Sequence, residues 1–190
     1  MNVGPLPARR LGEASRLLGR AFAADPFIGH FLRGRRGRIA LTFFFDSALS
    51  ALQVFGATDD GKLFGVAAWA PPGAANFVSR RARSRMLVVR VLCPRGARRL
   101  LAAFDVIAAA HPEAPHWYLA FVGIEPAAQG RGIGSALLAP VLDRNELCYL
   151  ETPFEGTHAF YRRLGFEHIA ELRPVAGAPP VWTMTRPASS

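Results

Sequence analysis

The sequence predicts a single domain of the α/β (α+β) class, built on a mixed β-sheet. Three observations support this class. The spacing of apolar residues along the 190-residue chain predicts helices, then a hairpin, then further helices. After these it predicts the order strand–helix–strand–helix–strand–strand. Hydrophobic residues make up 51% of the chain, which is enough for a substantial core. Glycine and proline are spread along the chain without a long linker, so we expect one domain over 1–186 and a flexible tail over 187–190.

The first third of the chain is predicted to contain two helices and a hairpin. Residues 8–24 form an amphipathic helix in this prediction, because apolar side chains recur at helical spacing. Asp25-Pro26 ends that helix, and residues 25–38 are predicted as a loop. A second helix is expected over 39–52. Apolar runs on both sides of Asp59-Asp60-Gly61 predict a β-hairpin.

The remaining chain is predicted to alternate helices and strands. The run 117–124 is so apolar that both faces of this strand should be buried. Proline and glycine mark the ends of the other elements. These other elements are predicted to be helices over 76–92, 95–110, 136–144 and 156–164, and strands over 147–151, 166–172 and 181–185.

The formal net charge is +9, and Lys62 is the only lysine, so arginine carries almost all of the positive charge. One arginine cluster spans 33–38 and a second spans 80–99. Such clusters are compatible with a nucleic-acid surface, with an ordinary solvated surface, or with attraction of a small polyanionic ligand. Aromatic residues that could stack on bases are not interleaved with them, which disfavours nucleic acid as a partner.

Several classes of protein are disfavoured by what the sequence lacks. It has no secretory signal and no apolar run of membrane-spanning length, so we expect a cytoplasmic protein with no membrane partner. Cys93 and Cys148 are the only cysteines, too few for a disulfide framework or a metal cluster. The five histidines show no metal-ligand spacing, so no metal is expected.

A glycine-rich segment, Gln129–Ser135, follows the apolar strand and precedes a helix. Glycines let backbone N–H groups approach phosphate oxygens, and a helix N-terminus adds partial positive charge. The chain contains no G-x-x-x-x-G-K-[ST] string, which excludes a P-loop. A dinucleotide fingerprint is disfavoured, because Ser135 occupies its third glycine position and too little chain follows for a two-halved domain.

Two motifs together resemble the GNAT N-acetyltransferase superfamily. Gln129-x-x-Gly132-x-Gly134 follows Ile124-Glu125-Pro126, and Phe160-Tyr161-x-x-Leu164-Gly165-Phe166 comes later. Within the superfamily the chain most resembles puromycin N-acetyltransferase-like members. That resemblance rests on Trp117–Ile124, Leu150-Glu151-Thr152 and Val181–Arg186.

The resemblance implies a GNAT fold, whose mixed central sheet is splayed at the acyl-CoA site and flanked by helices. It also implies acetyl-CoA as co-substrate. Loop amides would hold its pyrophosphate, and the splayed end of the central strand would pair with its pantetheine. Gly123 at that point is compatible with a bulge. The implied cofactor-binding residues are Val122, Gly123, Ile124, Gln129, Gly130, Arg131, Gly132, Ile133, Gly134, Ser135 and Thr157. Thr157 stands where related enzymes often carry an asparagine.

Tyr161 matches the family's general acid. A phenol with a pKa near about 10 keeps its proton at neutral pH and can donate it to a thiolate whose pKa is about 8.5. The alternative is an ordinary core tyrosine. Glu151 is the candidate base, with a hydrogen bond to backbone or arginine as its alternative role. Glu125 is a second candidate base or a turn cap, and His116 and His158 are expected to be surface or supporting residues. The backbone N–H near Ile124 would stabilise the oxyanion.

The acceptor is expected to be a small, partly apolar primary amine that attacks the thioester directly in a ternary complex. Residues 22–45 and 174–180 should form its site, where Asp25 and Asp46 could hold a cationic amine. A polycation is disfavoured by the net charge. The alternatives are a non-catalytic acyl-CoA-binding or regulatory module and a basic nucleic-acid-binding protein. The sequence also leaves a homodimer open.

Overall fold

The computed structural model describes residues 1–74 and 87–189 of the chain, and one mixed sheet runs through them. Its strands lie in the order β1-β2-β3-β4-β5-β7-β6, with β4 and β5 parallel and the other neighbours antiparallel. The strands are β1 Asn2–Pro5, β2 Gln53–Asp59, β3 Lys62–Ala70, β4 Trp117–Ile124, β5 Cys148–Thr152, β6 Glu167–Leu172 and β7 Val181–Arg186. The predicted mixed α/β class is therefore confirmed.

Helices cover both faces of this sheet. They are α1 Leu11–Ala21, α2 Pro26–Phe31, α3 Gly34–Leu49, α4 Pro94–Ala108, α5 Ile133–Leu142 and α6 His158–Arg163. Residues 87–92 are also helical, while the rest of the predicted helix over 76–92 lies outside the described residues. Among the described residues, none of the helices combines the length and apolar character needed to cross a bilayer.

The hydrophobic core has two parts, one on each face of the sheet. The first core joins α1–α4 to the sheet, and the second core joins α5 and α6 to the opposite face. An edge-to-face group of rings dominates the first core near the sheet, formed by Phe22, Phe44, Phe45 and Phe121. Because β4 contributes to both cores, the prediction that both its faces are buried is confirmed.

A bulge interrupts the pairing of β3 with β4. Ala68 pairs with Phe121 and Trp69 pairs with Leu119, so Ala120 is the extra residue. The bulge reverses the alternation of side chains. Leu119 therefore contributes to the second core, whereas Phe121 contributes to the first.

Gly123 is compatible with a bulge on sequence grounds, but the bulge does not lie there. Gly123 pairs regularly with Val66 of β3. Its lack of a side chain instead makes room for α1, because a Cβ here would lie only 2.7 Å from Leu18 Cδ2. The glycine thus serves the close approach of α1 to the sheet.

Short elements account for most of the differences from the predicted secondary structure. The predicted loop over 25–38 contains α2 and the start of α3. Asp25-Pro26, expected to end a helix, in fact begins α2: Asp25 is the N-cap, and Pro26 takes the first helical position. The strand β1 was missed because its four residues carry no alternating pattern, and it exists by pairing with the edge of β2.

Asp25 is 4% exposed, and its Oδ1 accepts the Ile28 N–H at 2.7 Å. Burial raises the pKa of Asp25 from 3.8 to about 6, against the lowering effect of this cap bond and of one from Phe27. Between these two pH values the unfolded chain releases the proton while the folded protein retains it. Stability therefore falls as pH rises through this window, by about 3 kcal/mol in total.

We expect Asp25→Asn to keep the cap acceptor without ionising. Its free energy of unfolding should exceed that of the wild type by about 1–3 kcal/mol at pH 7, and the difference should vanish near pH 4. Urea unfolding across this pH range measures it. Asp25→Ala is the control, since it removes both the charge and the cap. Parallel pH profiles for wild type and Asp25→Asn would contradict this account.

Candidate active site

The sheet opens between its two parallel strands. Pairing of β4 with β5 is confined to Trp117–Leu119 against Cys148–Leu150. The other edge of β4 stays paired with β3 as far as Ile124. Beyond Leu119, no described strand pairs with the β5-facing edge of β4, which leaves backbone groups available to an extended ligand. The expected divergence of these strands is thus confirmed.

The glycine segment lies directly beyond this opening. A 3-10 turn, Pro126–Ala128, follows β4, and Gly132 is the N-cap of α5. Gly130 has φ +77° and Gly132 has φ +76°, values at which a side chain would be strained. Within the described part of the chain, the amides from Gly130 to Ser135 donate to no carbonyl outside the regular elements. These N–H groups at a helix N-terminus form a site suited to an anion.

Two further glycines set how closely α5 approaches the sheet. A Cβ at Gly65 of β3 would lie 2.8 Å from Leu137 Cδ1. A Cβ at Gly134 would lie 3.1 Å from Phe160 Cζ and 3.3 Å from Ile124 Cδ1. The start of α5 therefore contacts both the end of β4 and α6, which brings the two predicted motifs together.

Tyr161 lies on α6 within the second core and is only 6% exposed. Its ring packs edge-on between Phe160 and Phe166, with centroid distances of 5.1 and 5.9 Å. Gly165, at φ +86°, ends the helix and lets the Phe166 N–H bond back to the Tyr161 carbonyl. Burial raises the pKa of Tyr161, so the phenol keeps its proton across the physiological range.

Thr157 is held by the turn that joins β5 to α6. Its hydroxyl donates to the Phe154 carbonyl at 2.7 Å and lies 2.8 Å from the hydroxyl of Thr152. Thr152 in turn accepts the Phe154 N–H at 3.2 Å. The side chain expected to contact a cofactor thus stabilises the approach of α6 to the end of β5.

Glu151 lies on the other face of the sheet from Tyr161. Cys148 and Leu150 of β5 belong to the second core, so by alternation Tyr149 and Glu151 face the opposite side. The Glu151 side chain is 7% exposed, and its Oε1 lies 3.1 Å from His111 Nε2.

This partner of Glu151 differs from the expected backbone or arginine. The contact is a close approach rather than a hydrogen bond, because Oε1 makes no hydrogen bond of acceptable geometry. Burial, reinforced by the neighbouring Glu151 carboxylate, raises the pKa of Tyr118 and of Tyr149. Sequence reasoning missed His111. Its signal was a pair of histidines, His111 and His116, around a proline-rich turn just before β4.

Glu125, the other candidate base, is the N-cap residue of the turn Pro126–Ala128, as expected, but its side chain makes no capping hydrogen bond. Its carboxylate receives hydrogen bonds from Arg20 Nη2 at 2.8 Å and Nε at 3.1 Å. These bonds from Arg20 lower the pKa of Glu125, which makes it a weaker base. The pair instead ties α1 to the end of β4.

A groove of about 430 Å³ lies where the acceptor site was expected, lined by His30 of α2 and by Arg173 and residues 175–179. Arg99 of α4 bridges two of the lining residues: its Nη2 lies 3.1 Å from His30 Nε2 and donates to the Ala176 carbonyl at 3.0 Å. Contrary to the prediction, the Asp25 carboxylate is not available to hold a cationic amine in this groove, because it caps α2. Among the described residues no group of side chains could hold a metal ion.

Comparisons with known proteins agree with this geometry. Residues 96–168 match the family model of the acetyltransferase (GNAT) domain. N-alpha-acetyltransferase RimI from Mycobacterium tuberculosis is 42% identical over 72 residues, which cover 34% of this chain and 45% of that protein. The match therefore spans less than half the length of this curated relative.

Solved structures extend the similarity to the whole chain. The histone acetyltransferase HPA2 and related acetyltransferase from Corynebacterium glutamicum superposes with a TM-score of 0.74 at 27% identity, covering 100% of this chain and 97% of that one. Arylalkylamine N-acetyltransferase 2 from Aedes aegypti gives a TM-score of 0.65 at 10% identity, covering 99% of each chain, a likeness of fold alone.

The opened part of the sheet and the glycine turn both lie within the segment, residues 96–168, that matches the acetyltransferase (GNAT) domain. The chain is similar to GNAT acetyltransferases over this segment, and it shares its overall fold with solved acetyltransferase structures.

Thr157→Val is expected to lower the free energy of unfolding by about 1–2 kcal/mol, because it removes two short hydrogen bonds of the β5–α6 turn. Thr58→Val is the matched control. It removes a single 3.4 Å contact with the Asn2 carbonyl and should change stability by about 0.5 kcal/mol or less. If chemical denaturation showed equal losses of unfolding free energy in the two variants, the assigned role of Thr157 would be contradicted.

Proposed function

We propose that the protein is an acetyl-CoA-dependent N-acetyltransferase that acetylates a primary amine of a small molecule by direct attack in a ternary complex. One observation carries the proposal: β4 leaves β5 after Leu119 and runs directly into the glycine turn. The unpaired edge of β4 and the unpaired N–H groups at the N-terminus of α5 therefore follow one another along the chain. This order suits a ligand with an amide-bearing arm and a pyrophosphate.

In this proposal the backbone of Val122–Ile124 pairs with the pantetheine arm, and the amides of Gly130–Ser135 hold the pyrophosphate. Gln129 precedes that turn and Arg131 lies within it, and Thr157 would contribute from the turn between β5 and α6. Acetyl-CoA supplies an activated acyl group, whose carbonyl carbon would lie in the opening between β4 and β5. The protein would position the acyl group and the amine, and it would supply the proton acceptor and the proton donor.

The two proton-transfer groups lie on opposite faces of the opened sheet. Glu151 accepts the proton of the attacking amine on the first-core face. The N–H near Ile124 stabilises the negative charge that develops on the acyl oxygen. Tyr161 donates its proton to the leaving sulfur on the second-core face, and its raised pKa keeps that proton available. This separation prevents direct proton exchange between acid and base.

Direct attack is further supported by the state of Cys148. Burial raises the pKa of this thiol to about 11, so at neutral pH it is not a nucleophilic thiolate. Its side chain also belongs to the second core. An acyl-cysteine intermediate on Cys148 is therefore disfavoured on both chemical and steric grounds.

The acceptor groove favours a small monoamine over a polycation. Arg173 lines the groove and Arg99 contacts its His30, and the net charge of +9 opposes the approach of several positive charges at once. The other residues that line it, 175–179, are mostly apolar. The resemblance to puromycin N-acetyltransferase-like members supports an acceptor of this partly apolar kind.

A second candidate acceptor is the α-amine of a protein chain. The identity shared with an N-alpha-acetyltransferase favours it. A thiol-release assay with acetyl-CoA, comparing small amines with peptides that carry a free N-terminus, separates the two. Faster turnover of the peptides would show that the acceptor is a protein α-amine rather than a small molecule. The proposal of acetyl transfer from acetyl-CoA would be unaffected.

Gly132→Ala is expected to weaken acetyl-CoA binding, because its left-handed backbone sets the direction of the loop amides. Gly73→Ala is the matched control: Gly73 has φ +77°, and its Cβ would likewise meet no atom within 4 Å. Both variants should lose about 1–2 kcal/mol of stability from the same strain. Only Gly132→Ala should also lose the thermal shift produced by acetyl-CoA. An unchanged shift in that variant would contradict the proposed pyrophosphate site.

Tyr161→Phe is expected to retain acetyl-CoA binding while kcat falls by about 100-fold, the usual range for loss of a general acid. Thiol release with the best amine measures kcat, and calorimetry measures binding. Phe166→Leu, which perturbs the same core without removing a hydroxyl, controls for packing. Full activity of Tyr161→Phe would exclude the phenol as the proton donor.

A further inference from the structure

The groove lined by His30, Arg173 and residues 175–179 lacks the carboxylates that an ammonium group needs. Within the described part of the chain, no acidic side chain lines it. The sequence has no aspartate or glutamate over 26–45 or 61–104, which include α2 and the first turns of α3 and α4. Asp25, just before α2, is buried as its cap. The groove is therefore unsuited to the amine end of an acceptor.

Arg99 of α4 is held beside this groove by three contacts. Its Nη2 lies 3.1 Å from His30 Nε2 and donates to the Ala176 carbonyl at 3.0 Å. Its guanidinium carbon lies 5.8 Å from the centroid of the Phe31 ring. The start of α4 can approach α2 because position 96 is a glycine: a Cβ on Gly96 would overlap the Phe31 carbonyl oxygen. The guanidinium thus has a defined position, although the side chain is exposed.

His30 positions Arg99 without adding a charge of its own. Arginine only donates hydrogen bonds, so His30 Nε2 accepts and the ring carries its proton on Nδ1. Burial, followed by the charges of Arg99 and Arg33, lowers the pKa of His30, which favours the neutral ring. Arg173 lies 2.6 Å from the Glu171 carboxylate, which offsets its charge. Of the cations that line or contact the groove among the described residues, Arg99 is therefore the one without a carboxylate partner.

Arg99 also retains hydrogen-bond donors for a ligand. A guanidinium has five N–H donors, and the two contacts of Nη2 use two of them. The N–H groups of Nε and Nη1 bond to no other described residue. A carboxylate matches one guanidinium in charge and accepts hydrogen bonds from it. A phosphate monoester carries about two negative charges at neutral pH, more than Arg99 alone would balance.

We propose that the groove binds a carboxylate of the amine acceptor, with Arg99 as the specificity-determining residue. This inference rests on the proposed acetyl transfer and names its acceptor class: molecules with an amine at one end and a carboxylate at the other. Both walls of the groove pack on the first core, through α2 and through Val175 and Ala178. Glu151, the proposed base, faces the same side of the sheet. The carboxylate end is held on the face from which the amine approaches that base.

Turnover of matched amines tests this preference. Thiol release is measured for β-alanine, γ-aminobutyrate and ε-aminocaproate, each against its own carboxamide, which has nearly the same size and no negative charge. For the best acid, kcat/KM should exceed that of its amide by about 10-fold or more, the lower range for a hydrogen bond between charged groups.

Peptides with a free N-terminus, carrying either glutamate or glutamine as the next residue, give the same comparison for a protein acceptor. A preference for the acid among the small amines supports a small-molecule acceptor, and a preference among the peptides alone assigns the carboxylate to a protein chain. No preference for the acid in either set would overturn the inference.

Arg99→Gln tests the residue, with Arg98→Gln as the matched control. Arg98 is the adjacent exposed residue of α4, and its replacement removes the same charge. Arg99→Gln should lower the acid-to-amide ratio of kcat/KM by about 10-fold, and Arg98→Gln should keep the wild-type ratio. A loss of folding would reduce turnover of acid and amide alike and leave the ratio unchanged. Equal ratios in the two variants would contradict the assignment to Arg99.

Binding without turnover is followed by NMR of the His30 ring, with neither acetyl-CoA nor an amine present. Butyrate should shift the His30 signals saturably, butyramide should not, and Arg99→Gln should abolish the shift. The absence of a saturable shift with butyrate would overturn the carboxylate site. If butyrate bound but the wild type released no thiol with any amine or peptide, the proposed acetyl transfer would fail while the carboxylate site would stand.

Discussion

The parting of β4 from β5 is the constraint on which the rest of the structure depends. The strand β4 pairs with β3 along its length but with β5 for only three residues. The bulge at Ala120 lies where this pairing ends and turns Phe121 toward the first core. An opened parallel pair in mid-sheet would be costly if its backbone groups stayed buried without partners. An extended ligand bound in the opening would give these backbone groups hydrogen-bond partners.

The glycine turn and the helix α5 depend on the same opening. Gly65 and Gly134 let α5 approach the sheet, so that its N-terminal amides face the end of β4. Phe160 contacts this junction from α6 and thereby places the next residue, Tyr161, in the second core. Glu151 lies on the opposite face with the two histidines. In the proposed reaction the sheet separates the proton donor, Tyr161, from the proton acceptor, Glu151, and the reaction centre would lie in the opening between the strands.

Local patterns predicted much of this arrangement. The strand Trp117–Ile124, the hairpin and the helix after the glycines are found within a few residues of their predicted limits, because each has a long apolar period or unambiguous turn residues. The errors concern short elements and single side chains. Asp25-Pro26 is compatible with ending one helix or starting another, and Glu125 could be identified as paired only once α1 placed Arg20 beside it. His111 contacts Glu151 across 40 positions of sequence, a proximity that no local pattern encodes.

The sequence alone determined the fold class, the position of the glycine turn and the pairing of two motifs typical of GNAT acetyltransferases. These features are local, since they depend on backbone freedom at glycine and on periodic apolar residues. The tertiary structure alone decided where β4 leaves β5, which face of the sheet each proton-transfer group occupies, and that Glu151 meets a histidine. Those properties arise from strand register, the bulge at Ala120 and long-range packing, which are set by the whole core rather than by any one segment.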